Sequence, residues 1–312
     1  MNNNTDLSII IPVKNRLDLL KETVSSVLNQ SSDAWNLIIV DDGSDEETLS
    51  YLQQLQSNYN RIRYISRTGI QRGPTVCRNQ GAAIAKTKYL LFLDSDDILL
   101  KNAVHRRLEV MHRNYDLDFA LFSTRAFYES TTDTHPWFED WNGKSDLDRL
   151  LSMEWAINVS SPIWNKSYFI ALGGFNENLP SWEDWELHVK ALIQFPKYLR
   201  FKENDFLIRA TRSDARVSSQ QYRNSVHLEA ASTMFIHVAK MLSNASILSF
   251  ERIQFICEQQ FSIAYLSLAT DGLKTSVYRL NKLSQINKVR SRTINYYRLR
   301  LIWCYLKKIT NL

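Results

Sequence analysis

The first hundred residues predict an α/β fold, a mostly parallel sheet flanked by helices. Three observations carry this. Short apolar runs recur at 7–13, 36–41 and 89–94, with little polar alternation, as in strands buried on both faces. Between them lie segments with apolar residues at helical spacing. The two patterns alternate, which implies βαβ units and parallel pairing.

In order, Leu7-Ser-Ile-Ile-Ile-Pro-Val13 reads as the first strand, and 16–29 as a helix through Leu19, Leu20, Val24, Val27 and Leu28. Asn36-Leu-Ile-Ile-Val-Asp41 is a second strand. Residues 45–57 follow as a helix with Leu49, Leu52 and Leu55. Arg61-Ile-Arg-Tyr-Ile-Ser66 is a short alternating strand. Pro74 suits the first turn of a helix, where its missing N–H has no partner to lose, and that helix runs through Ala85. Tyr89–Asp94 is the fourth strand. Beyond residue 100 the pattern changes. Residues 117–128 read as a longer strand, and the polar and aromatic 130–146 as a closing loop. Gly173-Gly174 breaks the pattern before a second acidic cluster at 183–186. From 222 the chain reads as helices, with Leu228, Ala231, Phe235, Val238 and Leu242 on one face.

A chain of 312 residues, 44% hydrophobic and 23% charged, can bury a core and form two compact units or one large one. Cys77, Cys257 and Cys304 are widely separated, which argues against a disulfide framework and a zinc site and for a reducing compartment. Met1-Asn-Asn-Asn-Thr-Asp6 has neither a basic region nor an apolar signal core, and no apolar run reaches membrane-spanning length. A cytoplasmic protein is expected.

The net charge of +5 is uneven. Residues 272–312 hold ten Lys or Arg and no Asp or Glu, leaving 28 basic against 33 acidic residues elsewhere. Such a tail suggests an anionic partner, and a peripheral place on the inner face of the membrane. A helix over 288–308 puts Ile294, Tyr297, Leu301 and Tyr305 on one side and leaves Leu299, Trp303 and Leu306 elsewhere. Membrane docking, packing on the catalytic body and contact with a second subunit in a homo-oligomer are the readings of this segment. No nucleic-acid motif accompanies the charge, so no nucleic-acid partner is expected.

Tyr89-Leu-Leu-Phe-Leu-Asp-Ser-Asp-Asp97 is the most informative stretch. Three carboxylates at a strand end repel one another unless a cation lies between them. Asp94 and Asp96 share a side if strand geometry persists, and two carboxylates plus substrate phosphates suit Mg²⁺ or Mn²⁺. The plain alternative is an acidic turn capping the next helix. Asp41-Asp42-Gly43-Ser44 ends another strand and offers an acceptor for a nucleoside; equally it starts a helix with Ser44 or Asp45 as N-cap. Ser181-Trp182-Glu183-Asp184-Trp185-Glu186 offers a general base beside aromatic platforms for a sugar face, or a helix start with both Trp as packing. Arg72, Arg78 and Asn79 could face a diphosphate, or lie on a helix surface. The six His show no ligand spacing.

In order and approximate spacing these motifs resemble inverting glycosyltransferases of family two, with a GT-A fold, over roughly 6–215. The matching residues are Ile9-Ile-Ile-Pro-Val-Lys-Asn15, Val40-Asp-Asp-Gly-Ser44, Cys77-Arg-Asn-Gln-Gly81, Phe92-Leu-Asp-Ser-Asp-Asp97, Gly173-Gly-Phe-Asn-Glu177 and Trp182-Glu-Asp-Trp185. The resemblance implies a GT-A catalytic domain over 1–220, with a nucleotide-binding half (1–100) and an acceptor half (101–220), and a helical basic region over 221–312. It implies that Pro12 and Asp42 line the nucleobase pocket, Arg78 and Ser95 approach the nucleotide, and Asp94 contacts the ribose. Asp96 would hold Mn²⁺ or Mg²⁺, Asp184 would be the base, and Trp182, Glu183 and Trp185 would meet the acceptor or sugar. The implied donor is a nucleotide sugar, most often UDP-linked. The implied acceptor is a glycan or lipid-linked glycan in surface-polysaccharide synthesis. A single displacement assisted by one base predicts inversion at the anomeric carbon.

Two positions depart from the family pattern. Lys14 stands where an aromatic often stacks near the base. Thr211 replaces the His of a common Arg-x-His motif, leaving Asp214 or water to complete a metal shell, or Arg209 and Arg212 to neutralise the diphosphate. The competing readings are a nucleotidyltransferase and a degenerate GT-A scaffold.

Overall fold

A computed structural model describes residues 5–128, 130–137, 143–154, 157–210 and 223–310, the last three without side chains. The chain forms two compact units, each assembled from separate stretches. The first takes 1–143, 155–177 and 195–211; the second takes 144–154, 178–194 and 212–312. The domain boundary expected at 220 does not coincide with this division, because two inner stretches join the C-terminal helices.

The first unit opens as expected: β1 (Leu7–Val13), α1 (Leu17–Leu28), β2 (Trp35–Asp41), α2 (Glu46–Asn58), β3 (Ile62–Ser66), α3 (Pro74–Ile84) and β4 (Tyr89–Phe92). It continues with β5 (Ile98–Leu99), α4 (Ala103–Arg113), β6 (Phe119–Phe127) and β7 (Thr134–Pro136). In the second unit α5 (Asp146–Leu151) follows; β8 (Pro162–Asn165) and α6 (Lys166–Ala171) return to the first. Then come α7 (Glu183–Ile193) in the second unit and β9 (Tyr198–Arg209) in the first.

Among the described residues nine strands make one sheet in the order β3-β2-β1-β4-β8-β6-β9-β5, with β7 on β6. The first four are mutually parallel, and β8 runs antiparallel to both β4 and β6. All seven residues of β1 are buried, which explains its unbroken apolar run. Leu7, Ile9 and Ile11 share a buried cluster with Leu20, Val24 and Val27 of α1 and Val104 and Leu108 of α4. On the opposite face Ile10 lies against α3 at Gly81, where an added Cβ would sit 2.5 Å from Ile10 Cγ2. Helices therefore cover both faces.

Pro12 sits within β1 without disrupting the ladder. Pairing of β1 with β4 stops at Ile10 and Phe92, and the Leu93 amide donates to the Ile10 carbonyl. By alternation the nitrogen of Pro12 faces that same side, past the end of β4, where the ladder has already stopped.

Arg107 of α4 is wholly buried. Its Nε and Nη2 donate to Asp205 on β9 at 2.6 and 2.7 Å, and its Nη1 donates to the Ser160 carbonyl at 2.9 Å. Neither charge is legible as internal from local patterning.

Two expectations change. The fourth strand ends at Phe92, and Asp94–Asp97 is a turn closed by the Asp97 amide donating to the Asp94 carbonyl at 3.1 Å. Strand geometry does not persist through Asp94-Ser95-Asp96. The segment 130–146 is not loop throughout: β7 pairs antiparallel with β6, where Arg125 donates to the hydroxyl and carbonyl of Thr134, and α5 begins at Asp146. Residues 138–142 lie outside the described residues.

The second unit is helical: α5, α7, α8 (Ser225–Asn244), α9 (Phe250–Thr270), α10 (Gly272–Asn281), a 3₁₀ turn at 282–285, and α11 (Ser291–Thr310). Asn224 and Ser249 cap α8 and α9, accepting from the amides of Val226 and Arg252. The expected face Leu228, Ala231, Phe235, Val238 and Leu242 is buried. Buried Arg279 of α10 donates to Glu229 of α8 at 3.0 Å and also pairs with Asp271. Among the described residues no helix is long and apolar enough to cross a membrane.

Candidate active site

The strand order places a topological switch between β1 and β4. The chain leaves β1 through α1 to β2 on one side, and arrives at β4 through β3 and α3 on the other. In open α/β sheets ligands bind at the carboxyl ends of the strands at such a point. Here those ends carry Asn15-Arg16, Asp41-Asp42 and Asp94–Asp97.

The loops at these ends are tied together. The Asn15 amide donates to Ser44 Oγ at 2.8 Å, and the Asp45 amide donates to Asn15 Oδ1 at 2.9 Å. Asn15 and Arg16 both adopt left-handed backbone, φ 57 and 60°, and Arg16 Nη1 lies 3.5 Å from Asp96 Oδ2.

The Asp41-Asp42 pair divides its work. Asp41 accepts from the Gly43 and Ser44 amides, both at 3.0 Å, and so builds the turn; Asp45 caps α2 through the Thr48 amide. Asp42 accepts from Arg67 Nε and, at 3.0 Å, from the Gly73 amide. Arg67 also donates to the carbonyls of Gly69 and Gln71, so one guanidinium folds the 67–73 loop around Asp42. Beneath it, burial pushes the Cys77 thiol up to about 12, and the nearby Asp42 charge adds to this.

On α3, Arg78 is buried and donates to Asp94 Oδ1 at 2.6 Å, with its guanidinium over the Phe175 ring. Asn79 clamps the segment that carries Phe175. Its Oδ1 accepts from the Phe175 amide, and its Nδ2 donates to the Phe175 carbonyl and Glu177 Oε1. Gly174, at φ +66°, fits because a Cβ there would lie 2.7 Å from Asn79 Oδ1. At the acidic turn each carboxylate has its own partner: Asp94 has Arg78, Asp96 has Arg16, and Asp97 accepts from the Arg209 amide at 3.2 Å. Ser95 is buried within the turn. The repulsion expected of three adjacent carboxylates is relieved in this way. Arg209 donates to the Asp96 carbonyl and pairs with Glu22. It therefore braces the turn.

Among the described residues no three His, Cys, Asp or Glu converge as a metal-binding group. A divalent ion shared with substrate phosphates needs only one or two protein carboxylates. Asp96 and the partly exposed Asp94 are of the right chemistry for that.

In the second unit, Glu183 and Asp184 open α7 and are partly exposed; Asp184 Oδ1 accepts from the Trp185 amide at 2.7 Å. Acidic groups in a first helical turn are stabilised by the unpaired amides there. Trp182 and Trp185 are not open sugar platforms. They are 4% and 2% exposed, their rings pack on Phe235, and Trp185 Nε1 donates to the Leu150 carbonyl. Glu186 is buried beside Lys190.

Pro12, Asp42, Arg78, Asp94, Ser95 and Asp96 thus fall in the first unit, at or beside the strand ends, while Trp182, Glu183, Asp184 and Trp185 fall in the second. Pro12 is buried and Lys14 exposed. Thr211, Arg212 and Asp214 lie outside the described residues. Sequence reasoning missed Arg16, Arg67 and His227. The first two follow β1 and β3, so their place at strand ends was the available signal. His227 Nδ1 lies 2.9 Å from Ser181 Oγ, and burial lowers its pKa while the Glu183 charge opposes this. Nothing in its local sequence marks it.

The family model for glycosyl transferase family 2 matches residues 8–167. A GalNAc(5)-diNAcBac-PP-undecaprenol beta-1,3-glucosyltransferase of Campylobacter jejuni is 34% identical over 109 residues, 35% of each chain. A poly(ribitol-phosphate) beta-glucosyltransferase of Bacillus spizizenii is 39% identical over 102 residues, 32% of this chain and 16% of that one. The matched part is therefore a small share of these relatives. The crystal structure of S. aureus TarS 1–349 with UDP-GlcNAc superposes with a TM-score of 0.70 at 18% identity, covering 96% of this chain and 89% of that one.

Proposed function

The chain belongs to glycosyl transferase family 2 and has its GT-A fold, and from that premise we propose that it transfers a sugar from a nucleotide-diphosphate donor, most simply a UDP-sugar, to a hydroxyl of a glycan or lipid-linked acceptor. The names of the two relatives support a setting in bacterial surface-polysaccharide synthesis. In this reading 1–220 carries catalysis, with 1–100 taking the nucleotide and 101–220 the acceptor, and the protein works in the cytoplasm.

The observation that carries the proposal is the set of strand-end groups around the switch between β1 and β4: Asp42 with its Arg67-held loop, Arg78 on Asp94, and Asp96 beside Arg16. Carboxylates and guanidiniums together suit a nucleoside diphosphate, whose ribose and base need acceptors and whose phosphates need cations. Asp42 and Pro12 take the nucleobase, Arg78 and Ser95 approach the nucleotide, and Asp94 accepts from the ribose. Asp96, with Asp94, would hold Mn²⁺ or Mg²⁺, which supplies Lewis-acid stabilisation to the departing diphosphate.

Asp184 takes the acceptor hydroxyl proton as that oxygen attacks the anomeric carbon, assisted transfer of this kind being worth roughly 10²–10⁴-fold. One displacement inverts the anomeric centre. Glu183 is the neighbouring acceptor contact. Titrating UDP and measuring sugar transfer with Asp184→Asn tests this: UDP affinity is retained and transfer falls about 10²-fold or more. Unchanged transfer removes Asp184 from the base role; no transfer by the native chain with any nucleotide sugar overturns the reading.

A further inference from the structure

The C-terminal helix α11 has two apolar faces. Of the side expected to share one face, Ile294, Tyr297 and Leu301 are buried and Tyr305 is half-buried. Tyr296, Leu299, Trp303 and Leu306 recur at spacings of three and four and are 59%, 69%, 56% and 53% exposed, with Ile302 beside them. Residues at this spacing form one stripe along a helix. A contiguous exposed apolar stripe marks a surface for a partner or a membrane.

The charge on and around the stripe chooses between them. Residues 288–312 carry seven Lys or Arg and no Asp or Glu, whereas Arg279 and Lys282, earlier in the chain, are paired with Glu229. Arg292 is exposed one turn before Tyr296, and Lys307 is exposed at the stripe's edge with its Nζ 4.0 Å from the Trp303 ring centre. Arg300, on the flank, is paired with Glu258, so part of its charge is offset. A second copy of this face would set like charges against each other. An anionic lipid surface accepts both features, apolar side chains below the headgroups and cations among them.

We propose that α11 docks flat on an anionic bilayer through Tyr296, Leu299, Trp303 and Leu306, with Arg292 and Lys307 on the lipid phosphates. The proposal stands apart from the transferase reading and needs no nucleotide to test.

The test is co-flotation of the whole chain with vesicles of phosphatidylcholine alone or mixed with phosphatidylglycerol. Binding is expected to the mixed vesicles only, weakening as salt is raised. Leu299→Glu with Trp303→Glu is expected to lower the vesicle-bound fraction about tenfold, and Arg292→Glu with Lys307→Glu to lower it on the anionic vesicles as well. Circular dichroism and melting temperature establish that each variant is folded. No binding to anionic vesicles, or equal binding by native chain and folded variants, overturns the proposal. So does a concentration-dependent dimer, seen by sedimentation, that Leu299→Glu disrupts while vesicle binding is absent.

Discussion

Both carboxylate oxygens of Asp42 are engaged, one by Arg67 and one by the Gly73 amide, and the two charged side chains are about a tenth exposed. Arg67 is thus a positioning residue: it shapes the loop that leads into α3. Arg67→Ala leaves Asp42 with one cation fewer and the Gly69 and Gln71 carbonyls without their donor, a change expected to lower stability by about 2–3 kcal/mol. On the proposed function it also weakens UDP binding about tenfold, equivalent to about 1.4 kcal/mol. Arg67→Lys restores part of the charge but not the fork that reaches the Gly69 and Gln71 carbonyls. Calorimetric UDP titration of both variants checks this. Equal affinity in all three proteins would confine Arg67 to a role in folding. At this scale the sequence showed which strand ends bear acids, because an apolar run stopping at Asp is a local pattern. It did not show which basic group meets which acid. Arg67 and Arg16 reach their partners across 25 and 80 residues, and such pairings depend on the sheet order.

At the scale of elements, α3 shows how close packing sets a residue type. Gly81 closes a stretch that resembles a nucleotide motif, yet its nearest neighbours are Ile10 and Val40 in the sheet. Gly81→Ala forces a methyl against Ile10 Cγ2, so a loss of about 1–3 kcal/mol is expected despite the better helix propensity of Ala, read as a lower urea midpoint. An unchanged midpoint would mean that the helix shifts freely on the sheet. In α7 the fully buried His188 makes a pH prediction, since burial holds its pKa down at about 3. Below pH 6.5 the unfolded chain takes up a proton that the folded chain does not. Stability from this source is therefore fully present above 6.5 and is lost progressively as pH falls toward 3. Replacing His188 with Leu should remove that loss: between pH 6.5 and 5.5 the variant gains about 1 kcal/mol relative to the native chain. Denaturant melts at the two pH values measure it. The elements up to β4 were legible because parallel strands covered on both faces are continuously apolar. β7 was not. Three residues of edge strand leave no period to read, and it is held by Arg125 on Thr134.

Over the whole molecule, the division of the chain is what local patterning conceals. The composition change near 220 is real, yet α5 and α7 belong with the helices beyond it. Trp182 and Trp185 are buried against Phe235 of α8, and Arg252 of α9 pairs with Asp148 of α5. A chain truncated after Gln220 would expose both indoles, and a larger share of it than of the full chain is expected to be recovered as aggregate. Comparing the two by centrifugation and size-exclusion chromatography decides this; a monodisperse truncated protein would mean that 1–220 folds on its own. Burial against Phe235 is also why the Trp pair misleads. Aromatics beside acids look like a sugar platform only while the helix that covers them, far along the chain, is out of view.

That covering helix has a consequence for how the protein is made. Translation proceeds at about 5–20 residues per second, so Trp182 and Trp185 leave the ribosome several seconds before Phe235 can reach them. During that interval α5 and α7 have no finished core to join. The nascent chain is a candidate client for ribosome-bound chaperones, and slow codons between 186 and 235 would lengthen its exposure.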